Sequence, residues 1–488
     1  PHTAVTDAGD AGAAGAAGAP AVASALPGAE DTIVALGTPS GRGALSIVRV
    51  SGPRAHEIGR RVAASWPDRA RSATLSSLRD SSGAELDRAI VIRYDGPASF
   101  TGEDALEIST HGGLVVPTTV LAALIEAGAR QALPGEFTRR AVLNGKLDIL
   151  QAEATADLIA AGSRSAQRVA LNQLDGGLSR RILALRQRVL DIEALVAYDI
   201  DFPEEDDGPI APARTLVALE ALAASLRGLL ATAAGGELVR QGAVVVLAGA
   251  PNVGKSSLFN ALLGHNRAIV TPVPGTTRDA LEAVIEAEPW PLRLVDTAGL
   301  RVTSDLIERL GMEVSESYVR RASVVLACGD DVASLRAAAP ALRAALSGSS
   351  HAAEVILVRT KADISREPDA ALSALRVELG AAAWTSVSAE TGDGLPDLVE
   401  SIGRTLAARV GAPDLDAPVL TQARHRHGIE RALDELERFR RAWQDEALPA
   451  TIAAVHLHEA ASALEALIGA VGTEDVLDEV FRRFCVGK

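Results

Sequence analysis

The chain has 488 residues, enough for two to four domains at roughly 100–200 residues each, and its 48% hydrophobic but only 3% aromatic composition calls for aliphatic cores. Lys+Arg total 48 against 63 Asp+Glu, a formal charge of −15, which excludes a protein that grips polyanions through a broad basic face. Two cysteines, Cys328 and Cys485, cannot build a disulfide framework, so a reducing cytoplasm is the default compartment.

Residues 11–29 carry no charge, but they are Ala and Gly broken by Pro20 and Pro27, too weakly apolar for a bilayer. Residues 1–30 read as a disordered tail, and no other segment reads as a membrane span. Residues 32–36, 44–50, 88–93 and 104–110 read as strands and 115–127 as a helix, an α/β domain over 31–144. Along 104–111, Leu106 and Ile108 share one face while Glu107, Ser109 and His111 share the other.

A helical region follows over 145–240. Ile182, Leu185, Val189, Ile192 and Val196 recur at spacings of three and four, the acidic run 201–207 with Pro203 interrupts, and Leu216, Leu219, Ala223, Leu226 and Leu230 resume. Gly235 and Gly236 are expected to end that run. Residues 241–411 alternate apolar strands (243–248, 292–295, 323–328, 354–358) with helices, the pattern of a largely parallel sheet. Residues 412–488 return to helix, with stripes at Ala432, Leu436, Phe439 and Trp443 and at Ala453, Leu457, Ala460, Leu464 and Leu467. The economical arrangement is one helical domain with the α/β module inserted into it; two separate helical domains are the alternative.

Only four lysines occur, Lys146, Lys255, Lys361 and Lys488, and the other 44 basic residues are arginine. Two of the four fall in nucleotide motifs. Gly249-Ala-Pro-Asn252-Val253-Gly254-Lys255-Ser256-Ser257 contains GxxxxGK[ST] between a strand and a helix, which aims N–H groups and a helix N-terminus at phosphate. Lys255 would reach the β/γ-phosphates and Ser256 would ligate Mg²⁺. Thr276 and Thr277 lie in a switch-like GTTRD, with Thr277 on Mg²⁺. Asp296-Thr297-Ala298-Gly299 ends a strand, placing Asp296 near the metal and the Gly299 N–H near the γ-phosphate. Thr360-Lys361-Ala-Asp363 supplies a carboxylate for guanine N1 and N2, and Ser388-Ala389 suits the base O6. The spacing selects GTP. Thr360 stands where Asn is usual, which puts a buttressing hydrogen bond in question. Leu300 stands where a water-positioning Gln is expected; Glu308 is the best substitute, with a solvated helix carboxylate as its alternative. With no obvious Arg finger, a monovalent cation held by Asn252 could supply the missing positive charge.

These motifs, with SFTGED (99–104), HGG (111–113), PGEF (134–137), NGKLD (144–148), DFPEE (201–205) and the terminal CVGK, make residues 31–488 resemble the MnmE (TrmE) family of tRNA-modification GTPases. The resemblance implies a homodimer with an N-terminal tetrahydrofolate-binding-like and dimerisation domain, and a helical domain split by a Ras-like P-loop G domain. It implies work with an FAD-containing partner, MnmG (GidA), in a heterotetramer that adds an aminomethyl-type group to C5 of the wobble uridine of tRNA. It further implies K⁺ ligands at Asn252, Thr271, Val273 and Thr276, with Thr271 also at the GTP site, and Glu308 orienting water. Folate contacts are implied at Arg49, Glu107, Lys146 and Lys488, with Cys485 available as a thiol. A carboxylate at Glu107 can pair with the amino and N–H donors of a pterin; an ordinary exposed strand face is the alternative. A ribosome-assembly GTPase acting as an RNA-binding switch is the competing function, and it predicts a basic appendage that the acidic balance does not offer.

Overall fold

The computed structural model describes residues 30–201, 212–265, 268–269, 281–296, 318–346, 353–365, 367–444, 450–469, 480–481, 484 and 487. The expected tail over 1–29 and the acidic stretch from 202 onward lie outside them. The chain divides into two compact units, Pro1–Phe137 with Cys485–Lys488, and Thr138–Phe484.

The first unit is a six-stranded sheet of order β3-β4-β5-β2-β1-β6. Its strands are β1 (Ile33–Leu36), β2 (Leu45–Ser51), β3 (Thr74–Arg79), β4 (Glu85–Tyr94), β5 (Ala105–His111) and β6 (Arg130–Gln131), with helices α1 (Ala55–Val62) and α2 (Val116–Glu126). Strand alternation sends Val34, Val48, Val50, Leu106 and Ile108 into one core with Ile58, Val120 and Leu124 of the two helices. Glu107 and Ser109 are left half-exposed and His111 exposed on the other face, as the alternation predicts.

The helix α3 (Glu136–Leu143) leads out of that unit. In the second unit, Asp148 caps α4 (Ile149–Ala160) through a capping box with Gln151, and Ser163 caps α5 (Arg164–Leu174). Then come α6 (Gly177–Asp201), α7 (Pro212–Leu230) and α8 (Ala233–Gln241). Gly235 and Gly236 do not end the helical run but lie inside α8. A Cβ on Gly236 would sit 2.2 Å from the Leu420 carbonyl, so its lack of a side chain admits the returning chain. On α7 the core residues are Leu219, Leu222, Leu226 and Leu229; Leu216 and Leu230, assigned to the stripe by spacing, are only half-buried. Residues Ala213–Gln241 are long and apolar enough in total to cross a membrane, but they form two helices whose leucines join the helical core.

A seven-stranded sheet of order β13-β12-β11-β7-β10-β9-β8 follows. It comprises β7 (Ala243–Gly249), β8 (Ala268–Ile269), β9 (Leu281–Ile285), β10 (Leu292–Asp296), β11 (Val324–Gly329), β12 (Glu354–Arg359) and β13 (Ala383–Ser386). Six strands run in one direction, and β9 is antiparallel to both its neighbours. The accompanying helices are α9 (Lys255–His265), α10 (Val332–Leu346), α11 (Asp369–Leu379) and α12 (Leu395–Val410).

Finally α13 (Ala423–Gln444) and α14 (Ala450–Ile468) pack on α6 and α7. Ile182, Val189, Leu222, Leu226, Leu436, Phe439, Leu457 and Leu464 share one core, so helices before and after the seven-stranded sheet bury each other's stripes. Polar contacts hold the chain where it passes between the two regions. Arg240 donates to Asp157 Oδ1 at 2.7 Å, Gln422 donates to Asp157 Oδ2 at 3.3 Å, and Gln173 donates to the Val419 carbonyl at 3.0 Å. Beside them Glu153 is buried, gripped by Arg424 Nε and Nη2 at 2.8 Å each and by His425 Nε2 at 2.7 Å. Burial pushes the Glu153 carboxyl up, but His425 and Arg424 outweigh it and hold the group at about 2.

Candidate nucleotide and folate sites

β7 is central in its sheet and ends at Gly249, and α9 begins at Lys255, so residues 249–255 form a turn from a buried strand into a helix N-terminus. Lys255 is buried, and its Nζ donates to the carbonyls of Gly249 at 3.0 Å and Ala250 at 2.8 Å, arching over the turn. Asn252 adopts φ +64°, and Leu258 N–H bonds the Gly254 carbonyl to start the helix. Ser256 Oγ lies 2.7 Å from Asp296 Oδ2, where β10 ends. This pair of hard oxygen donors at a helix N-terminus fits a magnesium ion beside a phosphate. Ser257 is exposed on the first turn of α9.

Asp363 and Ser388 lie on the loops that follow β12 and β13. Asp363 Oδ1 accepts from Ser388 Oγ at 2.8 Å, and the Ala362 N–H bonds the Val387 carbonyl at 3.0 Å, so the two loops hold each other. Ala389 is half-exposed beside them. Thr360 restores the buttress that its identity put in question. Its buried hydroxyl bonds the Val253 carbonyl, and Lys361 Nζ donates to the neighbouring Asn252 carbonyl at 3.1 Å. Asp330, which the sequence did not single out, holds Lys361 Nζ at 3.1 Å, and that hydrogen bond keeps its carboxyl below the usual range. Its position directly after β11 was the available signal. Cys328 lies at the end of β11, and burial raises its thiol to about 12, so it is a packing residue.

The structure thus brings together Asn252, Val253, Gly254, Lys255, Ser256, Asp296, Thr360 and Lys361, with Asp363, Ser388 and Ala389 on the adjoining loops. Thr271, Val273, Thr276, Thr277, Thr297, Ala298, Gly299, Leu300 and Glu308 lie outside the described residues, as do Cys485 and Lys488. Of the four expected K⁺ ligands, Asn252 is the one described.

In the first unit, Arg49 and Glu107 are direct cross-strand partners on β2 and β5. Arg49 Nε donates to Glu107 Oε1 at 3.0 Å, and Tyr94 donates to Glu107 Oε2 at 3.2 Å. Burial, then the Glu107 charge, raises the Tyr94 hydroxyl. Glu107 is 29% exposed, so the carboxylate is half-buried and reachable by a ligand. Gly487 adopts φ +95°, and a Cβ there would lie 2.2 Å from the Leu36 carbonyl; Leu36 precedes Gly37, over which the Arg49 side chain runs. Lys146 is exposed and belongs to the second unit.

Residues 32–146 match the family described as GTP-binding protein TrmE N-terminus, and residues 149–485 match the MnmE helical domain. The tRNA modification GTPase MnmE of Azoarcus sp. (strain BH72) is 43% identical, covering 96% of this chain and 100% of its own. That of Aquifex aeolicus (strain VF5) is 37% identical, covering 94% and 100%. Among solved structures, the G domain of the T. maritima FeoB iron transporter is 29% identical over 33% of this chain and 98% of its own, with a TM-score of 0.26. The P-loop geometry, both family matches and the near-complete coverage of the relatives agree: this chain belongs to the MnmE family of tRNA modification GTPases.

Proposed function

We propose that GTP hydrolysis at the P-loop serves the addition of an aminomethyl-type (carboxymethylaminomethyl) group to C5 of the wobble uridine of certain tRNAs. In this reading the protein is a cytoplasmic homodimer. It works in a heterotetramer with an FAD-containing MnmG (GidA) partner, which makes most of the tRNA contacts, and a tetrahydrofolate derivative supplies the one-carbon unit. The helical regions 145–240 and 412–488 are one domain, into which the G domain, 241–411, is inserted.

The residues divide the work by chemistry. The backbone from Asn252 to Ser257 cradles the phosphates, and Lys255 meets the β/γ-phosphates once drawn off its carbonyls. Asp363 reads guanine N1 and N2, with Ser388 holding its second lone-pair set. Ser256 and Thr277 would hold Mg²⁺, and Asn252, Thr271, Val273 and Thr276 would hold K⁺; these cations supply positive charge against the phosphates. Glu308 orients the attacking water. Arg49, Glu107, Lys146 and Lys488 contact the folate, with Cys485 beside it.

The single observation that carries the GTP site is the Ser256–Asp296 contact of 2.7 Å at the mouth of the P-loop. GTPase assays in KCl and NaCl at equal ionic strength test the cation, and mass spectrometry of wobble nucleosides from cells lacking the protein tests the modification. Faster hydrolysis in KCl, abolished in Asn252→Ala, and loss of the C5-modified uridine are expected. Equal rates in both salts, or unchanged nucleosides, would overturn the respective parts.

A further inference from the structure

Asp330 follows directly on β11, in a turn that its surroundings fix. The Gly329 carbonyl accepts the Thr360 N–H at 2.8 Å. A Cβ on Gly329 would sit 2.5 Å from Ser334 Oγ, so α10 packs closely against the strand end. Asp331, the next residue, is committed to that helix: its Oδ1 accepts the Ser334 N–H at 2.6 Å. Asp330 instead turns to the loop after β12 and holds the Lys361 ammonium, Oδ2 to Nζ, at 3.1 Å. The two side chains are 41% and 39% exposed, so the carboxylate acts from the rim of the site and not from within it.

The same ammonium donates to the Asn252 carbonyl at 3.1 Å. Asn252 and Lys361 are two of the three non-glycine residues with positive φ among the described residues, at +64° and +53°. L side chains rarely adopt that region, and it persists where surrounding contacts impose it. One hydrogen bond thus joins two strained residues, and Asp330 holds the donor of that bond. A trans peptide points its C=O and its N–H in opposite directions. Turning the Asn252 carbonyl toward Lys361 therefore turns the Val253 N–H the opposite way, and main-chain N–H groups are what a turn before a helix N-terminus offers to an anion.

We propose that Asp330 is a positioning residue for nucleotide binding: it anchors Lys361 on the Asn252 carbonyl and so keeps the Val253 N–H aimed at phosphate. Without that carboxylate the ammonium swings out to water, and Asn252 loses the contact that holds it in the left-handed region. The turn must then be reordered each time a nucleotide binds, and affinity falls by that ordering cost. The loss falls on phosphate binding, which GTP and GDP share, and not on reading of the base.

Nucleotide titration and steady-state kinetics on the full chain test this. Asp330→Ala should weaken GTP and GDP alike by about threefold to fivefold, the size expected of a half-exposed ion pair. KM should rise with kcat unchanged, and the deficit should narrow in high salt, which screens the pair in the unaltered protein. Preference for GTP over inosine triphosphate, which lacks the 2-amino group, should stay as it is. In a Lys361→Ala background the same substitution should change nothing, because the ammonium it anchors is gone. Asp330→Asn, of the same shape but uncharged, should lose affinity in the same direction and carries the test if the alanine variant melts early. Unchanged nucleotide affinity in both variants would reduce the contact to a surface ion pair and overturn the proposal. So would an undiminished effect in the Lys361→Ala background, or a lowered preference for GTP over inosine triphosphate, which would place Asp330 with the base.

Discussion

The Thr360 hydroxyl bonds the main-chain carbonyl of Val253, a residue 107 positions earlier, and so ties the loop after β12 to the turn between β7 and α9. Gly329's carbonyl, 3.2 Å away, is already met by the Thr360 N–H at 2.8 Å, which leaves the hydroxyl proton for Val253. Thr360→Val keeps the shape but strands that carbonyl, at about 1–3 kcal/mol. GTP and GDP should both bind roughly tenfold more weakly, read by fluorescent-nucleotide titration. Thr360→Ser should bind as the unaltered protein does, and equal affinity in the Val variant would show the brace to be idle.

Asp363 accepts a hydrogen bond from Ser388, so one edge of its carboxylate is held in place. Asp363→Asn converts an acceptor into a donor. Calorimetry should then show a preference for xanthine over guanine nucleotides. Unchanged guanine preference would remove Asp363 from the base site.

Glu153 predicts a pH dependence. Its native carboxyl sits at about 2 against an ordinary 4.5, a contribution of about 3 kcal/mol. A depressed carboxylate stabilises fully above its unfolded value and loses that contribution as pH falls from about 4.5 toward 2. Asp157, which burial pushes above its ordinary value, works in the opposite sense and blunts the slope. Urea melts at pH 7, 4.5 and 3 should show a progressive loss. Glu153→Ala should cost about 3–5 kcal/mol at pH 7, because Arg424 and His425 lose a buried partner, and should flatten the acid dependence. A variant as stable as the unaltered protein would contradict this.

Gly487 lies against the Leu36 carbonyl at positive φ. Gly487→Ala introduces both a clash and a strained backbone there. Weaker 5-formyltetrahydrofolate binding and lost wobble modification are expected, with K⁺-stimulated GTP hydrolysis intact. Normal modification would show that the terminus does not serve the folate site.

The turn over 249–255, the helix start at Lys255 and the strand ending at Asp296 were legible because their sequence signals are local and fixed in spacing. The stripe from Ile182 to Val196 and that of α13 were legible because burial there follows the helical period. β3 escaped, since TLSSLR is mostly polar and leaves Leu75 65% exposed, and so did the two-residue β6 and β8. The Gly235-Gly236 pair misled because close packing of Leu420 demands glycine as firmly as a helix end does. The Glu153–Arg424–His425 cluster could not be seen, because its members stand some 270 residues apart and no short-range pattern links them. Thr360 departs from the usual residue of its motif, yet its hydroxyl still bonds the Val253 carbonyl, a contact 107 residues away that no local pattern shows.

The shared core of α6, α7, α13 and α14 also sets an order of events during synthesis. Between Leu230 and Ala423 the ribosome must add roughly 190 residues, about 10–40 s at ordinary elongation rates. Throughout that interval Leu219, Leu222 and Leu226 have emerged while Leu436, Phe439 and Leu457 have not yet been made. The seven-stranded sheet can complete itself in the meantime, because all its strands lie within the interval. The nascent helices α6 and α7 therefore present a bare apolar stripe to the cell for tens of seconds, and chaperone demand in this protein should centre on them rather than on the nucleotide-binding sheet.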